Sequence, residues 1–315
     1  MSLKSFFRFV EIQTKLASVI PFSLGTVYAL YRYNSFKLHN FIIMCISLLA
    51  FDMATTAINN YIDYKKAQET SGYNYLNKNA MLKHNIKEST ALAIIFTLLI
   101  IAMLLGVLLT INTNIIVLFI GVISFLVGIF YTFGPIPISR MPLGEIFSGV
   151  FMGFVIMFLS IYIHIYDQNI VALIYKNHMI NVSINVLEIF YIFLISLPTM
   201  SGIANIMLAN NICDIEEDII NKRYTLPYYL GKKRALTLFR ILYYIGYIDI
   251  IILLVLRIAP ITTLLALLTL IPVNKNIRIF HEKQIKSETF VLSVKNFVLM
   301  NMPQILLTGV MIVIR

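Results

Sequence analysis

Residues 187–209, LEIFYIFLISLPTMSGIANIMLA, form an apolar run that the pentapeptide NNICD at residues 210–214 follows directly. An apolar run of this length crosses a bilayer as one helix, because unpaired backbone groups cannot face lipid. The polar residues come at the point where that helix leaves the apolar interior. The stretch therefore predicts a membrane-spanning helix with a polar, functional end.

The same pattern, Asn-Asn-x-x-Asp, closes an earlier apolar run at residues 59–63. The first copy leads into Glu69 and the second into Glu217 and Asp218, so the few acids of a basic chain gather at two places. Asn and Asp four positions apart share a helical face, and carboxylates near a helix C-terminus are unfavourable unless a cation lies among them. These oxygen ligands suit Mg²⁺, which prefers to share its coordination with phosphate.

The composition is that of a membrane protein. Hydrophobic residues make up 59% of the chain and charged residues 13%, with a mean hydropathy of +0.84; soluble domains carry about 25% charged residues. The predicted spanning segments are residues 16–34, 40–60, 89–110, 114–132, 144–164, 187–209, 236–256, 258–273 and 292–314. Because short links make neighbouring segments pack antiparallel, we expect one polytopic all-α membrane domain over residues 1–315.

Lys and Arg are distributed unevenly between the links. About eighteen fall on the side of the N-terminus and of both Asn-Asn-x-x-Asp copies, and about five on the other side. This asymmetry predicts a multi-pass protein of the cell membrane with its N-terminus and both motifs in the cytoplasm. It also explains most of the net charge of +10 without a nucleic-acid partner. Residues 1–15 are amphipathic and are expected to lie in the membrane interface.

A third motif lies between the two copies. Residues 128–137 read GIFYTFGPIP, and Leu143-Gly144-Glu145 follows. Tyr-Thr-x-Gly-Pro-x-Pro followed by Leu-Gly-Glu resembles the intramembrane prenyltransferases of the UbiA superfamily, and most of all the branch that prenylates 1,4-dihydroxy-2-naphthoate in menaquinone biosynthesis. The resemblance covers nearly the whole chain, with its motifs in the family's order.

This resemblance implies about nine transmembrane helices around a central cavity, with Mg²⁺ and an isoprenyl diphosphate held by two Asp-rich motifs. It also implies an aromatic small molecule as acceptor. Three departures stand out. Asn60 replaces an Asp of the family pattern, Lys222-Arg223 replaces a common Gly-Lys, and the usual Arg in the link after the second segment has no clear match. Matched residue by residue, the implied metal ligands are Asn59, Asp63, Glu69, Asp214 and Asp218, of which Asp63, Asp214 and Asp218 are also the predicted catalytic residues.

The residues themselves indicate the same chemistry. An allylic diphosphate ionises more readily when metal ions and cationic side chains neutralise the charge that develops on the leaving group. Aromatic faces shelter the resulting allyl cation, and exclusion of water prevents its hydrolysis. The candidate substrate-binding residues are Asn59, Asn60, Lys65, Lys66, Lys83, Tyr131, Arg140, Asn211, Lys222 and Arg223.

Several alternatives stay open at the level of sequence. The acceptor could be 4-hydroxybenzoate or a haem precursor, and a membrane transporter would also place paired polar breaks in two halves of a chain. Asp52 lies two turns before Asn59 on the same face, where a packing role is as well supported as a ligand role. For Glu145, near the start of the fifth segment, capping of the helix N-terminus is favoured. No feature of the sequence predicts an oligomeric state.

Overall fold

Long apolar helices make up most of the structure. The computed structural model describes residues 1–70, 80–132 and 137–314, without the side chains of residues 66–70 and 132. Spatial contacts divide the chain into two units, the first formed by Met1–Val19 and Ile42–Ile136 and the second by Ile20–Phe41 and Pro137–Arg315. Each unit carries one copy of the Asn-Asn-x-x-Asp motif.

The described residues form fourteen α-helices and one β-hairpin. The helices are α1 (Leu3–Phe9), α2 (Leu16–Tyr33), α3 (Leu38–Thr70), α4 (Ala80–Lys83), α5 (Glu88–Asn112), α6 (Ile115–Thr132), α7 (Gly144–Ser148), α8 (Ile156–Ile165), α9 (Val186–Cys213), α10 (Ile215–Ile220), α11 (Leu226–Leu230), α12 (Lys232–Val255), α13 (Leu270–Glu282) and α14 (Val291–Ile314). The 3-10 turns are Ile12–Lys15, Ile138–Arg140, Tyr166–Gln168 and Ile261–Thr269, and a π-helical stretch covers Gly149–Val155. The strands are β1 (Val171–Lys176) and β2 (Met179–Ile184).

Within the described residues, seven helical stretches are long and apolar enough to cross a membrane. They are Leu38–Lys65, Glu88–Asn112, Gly144–Gln168, Val186–Cys213, Lys232–Val255, Ile261–Glu282 and Val291–Ile314. Ile115–Tyr131 is a shorter apolar helix, and α2 covers the first predicted segment. Each predicted segment overlaps a helical stretch, although most of the eighth lies in the 3-10 stretch Ile261–Thr269. The prediction of a polytopic helical membrane protein is confirmed, and the number of nine spans stays a prediction.

Two helices extend beyond their predicted ends. α3 continues to Thr70, so the first motif lies inside a helix rather than at its end; Lys, Ala, Gln and Glu are all good helix formers, which explains the extension. The eighth segment runs on to Glu282 because Val273, Ile277 and Phe280 form a buried stripe at helical spacing.

The prediction of an all-helical chain missed one element. Residues 171–184 form an antiparallel hairpin between α8 and α9. These residues alternate weakly between apolar and polar types and are rich in Val, Ile and Tyr, which favour strands. The segment is too short to cross a bilayer as a helix.

The first unit is held together by close helix packing. α3 and α5 meet through small side chains at helical spacing, which let two helices approach closely. Ser47 Oγ donates a hydrogen bond to the carbonyl of Ala102 at 2.9 Å. The buried alanines of this core are Ala50, Ala54, Ala57, Ala91 and Ala102. This packing holds the helix that carries the first motif.

The second unit is built around α9. The C-terminal half of α9, which is predicted to lie toward the cytoplasm, packs with α12, α13 and α14. Their common core contains Leu208, Phe239 and Phe280. On another side of α9, a Cβ added to Gly153 would lie 2.6 Å from the Cα of Met200. Only glycine permits that approach of the two backbones. The helix that ends in the second motif is thus fixed on several sides.

Candidate active site

The first motif lies on α3 within the first unit. Asn59 and Asp63 are both half-buried and stand one helical turn apart. Asn59 Oδ1 is shielded from solvent and has no hydrogen-bond partner among the residues that the structure describes. A buried acceptor without a partner costs about 1–3 kcal/mol. This oxygen is therefore suited to a ligand that lies outside the polypeptide.

The side-chain amide of Asn60 is hydrogen-bonded within the protein. Its Nδ2 donates to the carbonyl oxygen of Phe9 at 2.9 Å and lies 3.4 Å from Glu11 Oε1. Phe9 is fully buried in the core of the first unit. The amide thus attaches the N-terminal segment to α3, a structural role that the sequence pattern did not indicate.

Asp52 is also fully engaged. Its Oδ1 lies 2.7 Å from Lys15 Nζ, and its Oδ2 accepts from Ser18 Oγ at 2.5 Å. Lys15 is 3% exposed and also donates to Thr56 Oγ1 at 2.6 Å. A buried charge needs such pairing, and both carboxylate oxygens are occupied. Of the two roles that the sequence left open for Asp52, the structure supports packing and helix attachment.

The other predicted residues of the first unit are more dispersed. Lys65 Nζ pairs with Glu88 at 2.7 Å, Lys83 is exposed on α4, and Tyr131 is half-buried near the end of α6. The side chains of Lys66 and Glu69 lie outside the described residues, as do residues 133–136 of the third motif.

The second motif lies where α9 ends. Asp214 caps α9, donating its N–H to the carbonyl of Asn210 at 3.1 Å, and then precedes the short helix α10. The N–H of Asp218 donates to the carbonyl of Asp214 at 2.7 Å. One turn of helix therefore separates the two carboxylates, as the spacing predicts.

Each of these carboxylates faces a cation. Lys286 Nζ pairs with Asp214, and Arg223 Nε lies 3.6 Å from Asp218 Oδ1. Asp218 is only 6% exposed, and burial raises the pKa of its carboxyl although the charge of Arg223 opposes that shift. Sequence reasoning assigned Lys286 to the topology signal alone, because no spacing in the chain connects it to the motif.

Glu145 joins the third motif to the second. Its Oε1 accepts a hydrogen bond from Asn211 Nδ2 at 2.8 Å, and both residues are buried. Glu145 lies in the first turn of α7, where an acid suits the helix N-terminus, and its carboxylate also contacts Asn211, which the sequence did not indicate. With Nδ2 held, the amide of Asn211 has a fixed orientation, and its carbonyl oxygen is the atom left for a ligand.

The 3-10 turn Ile138–Arg140 also lies beside the second motif. The carbonyl oxygen of Arg140 accepts from the N–H of Tyr224 at 3.1 Å, which places this turn beside Arg223. Thr225 Oγ1 lies 3.4 Å from Asp218 Oδ2. Lys222 is exposed with a φ of 53°, a left-handed conformation that favours glycine. Lys222 and Arg223 are thus adjacent at this turn, and the backbone of Arg140 lies beside them.

The donor set fits Mg²⁺ bound together with a diphosphate. Among the residues searched in the described part of the chain, no three His, Cys, Asp or Glu side chains are grouped for one metal ion. Mg²⁺ usually needs only one or two carboxylates, because substrate phosphates and waters complete its octahedron. Asp63 with the unpartnered Asn59 Oδ1, and the adjacent Asp214 and Asp218, are oxygen donors of that kind.

Comparison with known proteins agrees with these features. Residues 18–298 match the UbiA prenyltransferase family. Over 235 residues the chain is 33% identical to the 1,4-dihydroxy-2-naphthoate octaprenyltransferase of Bacillus subtilis strain 168, across 75% of this chain and 68% of that protein. The transporter alternative is thereby set aside.

Solved structures show the same fold. The apo structure of a UbiA homologue from Aeropyrum pernix K1 aligns with a TM-score of 0.67 at 19% identity, over 91% of this chain and 97% of that one. A UbiA homologue from Archaeoglobus fulgidus, bound to GPP and Mg²⁺, aligns with a TM-score of 0.63 at 13% identity, over 99% and 100% of the chains. The chain belongs to the UbiA prenyltransferase family and is a multi-pass membrane prenyltransferase.

Proposed function

We propose that the protein transfers an isoprenyl group from a prenyl diphosphate to 1,4-dihydroxy-2-naphthoate, with Mg²⁺, in menaquinone biosynthesis. The 33% identity to the Bacillus subtilis octaprenyltransferase is the observation that carries the choice of acceptor. The family relationship supports the reaction class. The Archaeoglobus fulgidus homologue bound to GPP and Mg²⁺ supports the type of donor and metal.

In this proposal Asp63, Asp214 and Asp218 ligate Mg²⁺, with Asn59 and Glu69 as further oxygen donors. When bound, Mg²⁺ would stabilise the negative charge that develops on the departing pyrophosphate. The buried position of Asp218 makes its charge interactions stronger than they would be in water. A carboxylate with few water neighbours is well placed to hold a dication.

The basic residues around the second motif are proposed to bind the diphosphate. Arg223 and Lys286 pair with Asp218 and Asp214. The side chains of Arg223 and Lys286 are 30% and 45% accessible, so each cation keeps part of its surface open to an incoming phosphate oxygen.

The bond changes are those of an electrophilic aromatic substitution. The C–O bond between the allyl group and diphosphate breaks, and a C–C bond forms to the electron-rich naphthalene ring. The ring returns to aromaticity with loss of the carboxylate as CO₂. The proposed role of Tyr131 is to shelter the allyl cation by its ring face.

We also propose the cytoplasmic membrane as location, with the N-terminus and both Asp motifs in the cytoplasm. The excess of Lys and Arg on that side supports this orientation. The hydrophilic diphosphate would then reach the site from the cytoplasm, while the prenyl chain stays in the apolar part of the membrane protein.

The acceptor is tested with purified protein, Mg²⁺ and farnesyl or geranylgeranyl diphosphate. The acceptor panel contains 1,4-dihydroxy-2-naphthoate and 4-hydroxybenzoate, and products are identified by mass spectrometry. We expect a prenylated naphthalenediol whose mass shows loss of CO₂, and none when EDTA replaces Mg²⁺. The Asp218→Asn variant serves as the inactive control. Product from 4-hydroxybenzoate alone would overturn the proposed acceptor.

A further inference from the structure

The hairpin of β1 and β2 is an element that prenyl transfer does not explain. It lies at the opposite end of α9 from the second motif, between the spanning stretches Gly144–Gln168 and Val186–Cys213. Its two turn residues, Asn177 and His178, have φ values of 53° and 61°, typical of the type I′ turns that join antiparallel strands. The strands pair in register from the turn to the base of the hairpin.

The two faces of the hairpin differ in composition. Paired residues lie on the same face and faces alternate along each strand. One face, which we call the apolar face, consists of Val171, Leu173, Tyr175, Ile180, Val182 and Ile184. The opposite face consists of Ala172, Ile174, Lys176, Met179, Asn181 and Ser183. Every polar or charged strand residue other than Tyr175 is therefore on that opposite face.

Four of the six side chains of the apolar face are exposed, while Val171 and Leu173 are half-buried. Tyr175, Ile180, Val182 and Ile184 expose 66%, 65%, 58% and 53% of their surface, counted against all described residues. Leaving apolar surface in water costs roughly 25 cal/mol per Å². A contiguous apolar patch of this kind marks a surface that binds something else.

The base of the hairpin is fixed to the two helices that it joins. Tyr162 Oη, on α8, donates to the carbonyl of Val171 at 2.9 Å. The N–H of Asn185, just before α9, donates to the carbonyl of Ile170 at 2.8 Å. With links this short, the hairpin stays at the level where the helices leave the bilayer.

We propose that the apolar face of the hairpin lies in the membrane interface and binds lipid. Position at the ends of two spanning helices places it among headgroups, where Tyr side chains are enriched. Lys176, next to the turn, can extend its ammonium group to lipid phosphates. A second copy of the chain is less well supported than lipid as the partner of this face. Stable protein interfaces take about 20–30 residues on each side, whereas the apolar face consists of six residues.

The hairpin then acts as an anchor for the outer end of α9. An interfacial apolar face sits roughly 5–10 Å deep, at the boundary of headgroups and acyl chains. Because α9 is continuous from Val186 to Cys213, fixing one end relative to the bilayer also sets the level of the other. Asp214 lies at that other end.

The absence of Trp from the sequence allows a direct test. Two single-Trp variants, Val182→Trp on the apolar face and Asn181→Trp on the opposite face, are reconstituted in phosphatidylcholine nanodiscs with or without acyl-chain-brominated lipid. We expect bromolipid to quench the fluorescence of the Val182→Trp variant at least about twofold more strongly than that of the Asn181→Trp variant, and the emission of the former to be blue-shifted. Adjacent positions on one strand make the two variants a matched pair.

A third variant, Ile180→Trp, repeats the test in case one substitution disturbs the hairpin, and circular dichroism with size-exclusion chromatography checks each fold. Equal quenching on both faces, or no quenching on either, would overturn the proposal. Blue-shifted emission without bromolipid quenching would also overturn it, since protein would then cover the apolar face. The readout is independent of prenyl transfer and of the acceptor.

Discussion

Glu145 Oε1 accepts a hydrogen bond from Asn211 Nδ2 at 2.8 Å, so a carboxylate of the third motif orients an amide of the second. Glu145 is 4% exposed and Asn211 is 3% exposed, so water does not compete for this bond. Groups that orient metal or substrate ligands in this way affect affinity without touching the reacting atoms.

Glu145→Ala should therefore raise KM for the prenyl diphosphate by about 10-fold, because Asn211, a candidate substrate-binding residue, loses the partner that orients it. Glu145→Gln keeps a carbonyl acceptor for Asn211 Nδ2 and should remain within about threefold of wild type. Titrations of activity against the prenyl diphosphate measure both, with helix content as the folding control. If both variants titrate like wild type, Glu145 does not orient the site.

Loss of one metal-binding carboxylate should be severe. Asp63→Ala, Asp214→Ala and Asp218→Ala are each expected to lower turnover by about 100-fold or more, because one strong transition-state charge contact is worth about 3 kcal/mol. Glu216→Ala is the matched control, since this acid lies exposed on the same short helix as Asp218. A triple Asp variant with near-normal turnover would contradict the proposed site.

The pH dependence of activity should follow the protonation of the Asp218 carboxylate. Burial raises the pKa of its carboxyl and the charge of Arg223 lowers it. A ligand carboxylate must be ionised, so activity falls as the pH drops through this pKa. Arg223→Gln removes the opposing charge, raises the pKa and should move the acidic limb of kcat/KM to higher pH.

Arg223→Lys retains the charge and is the control for that shift. Its acidic limb should stay close to that of wild type even if its activity is reduced by a poorer fit to diphosphate. An acidic limb at the same pH in Arg223→Gln and Arg223→Lys would show that Asp218 does not control the profile.

Lys222 offers a test that separates conformation from charge. Its φ of 53° is left-handed, so Lys222→Gly should stabilise the protein by up to about 1 kcal/mol. Lys222→Ala removes the same charge without relieving the backbone. Thermal unfolding in detergent should rank Gly above Ala, whereas KM for the diphosphate should rise equally in both if the ammonium group binds it. Equal unfolding midpoints would argue against strain at this position.

Orientation in the membrane can be checked with single cysteines, after replacement of Cys45 and Cys213. Lys232→Cys and Asn177→Cys lie at exposed positions at the two ends of the second unit. In sealed right-side-out vesicles, an impermeant thiol reagent should label Asn177→Cys and spare Lys232→Cys. The reverse pattern would place the Asp motifs on the outer side of the membrane.

The helical membrane fold could be predicted from sequence because its cause is local. A bilayer requires every backbone group to be paired, so about twenty apolar residues specify a helix without reference to the rest of the chain. The ends of the helices could be predicted less well where tertiary packing, rather than local sequence, decides them. Residues beyond Val273 stay helical because one face of α13 packs in a core that α9 and α12 provide.

Asn60 shows the corresponding limit for the site. From sequence alone, Asn60→Asp would be expected to be tolerated and to strengthen Mg²⁺ binding. The structure predicts a different result, because an aspartate cannot donate to the carbonyl of Phe9 and would face Glu11. The variant is therefore expected to weaken attachment of the N-terminal segment, which limited proteolysis would detect.

By itself, the sequence determined the membrane helices, the two Asp motifs and the family resemblance, since these depend on residue type and short spacing. Tertiary structure alone decided which side chains meet. Lys286 contacts Asp214, Glu145 contacts Asn211 and Lys15 contacts Asp52, although the partners lie 72, 66 and 37 residues apart in the chain. No periodicity records such contacts, because they depend on how whole helices pack rather than on the order of neighbouring residues.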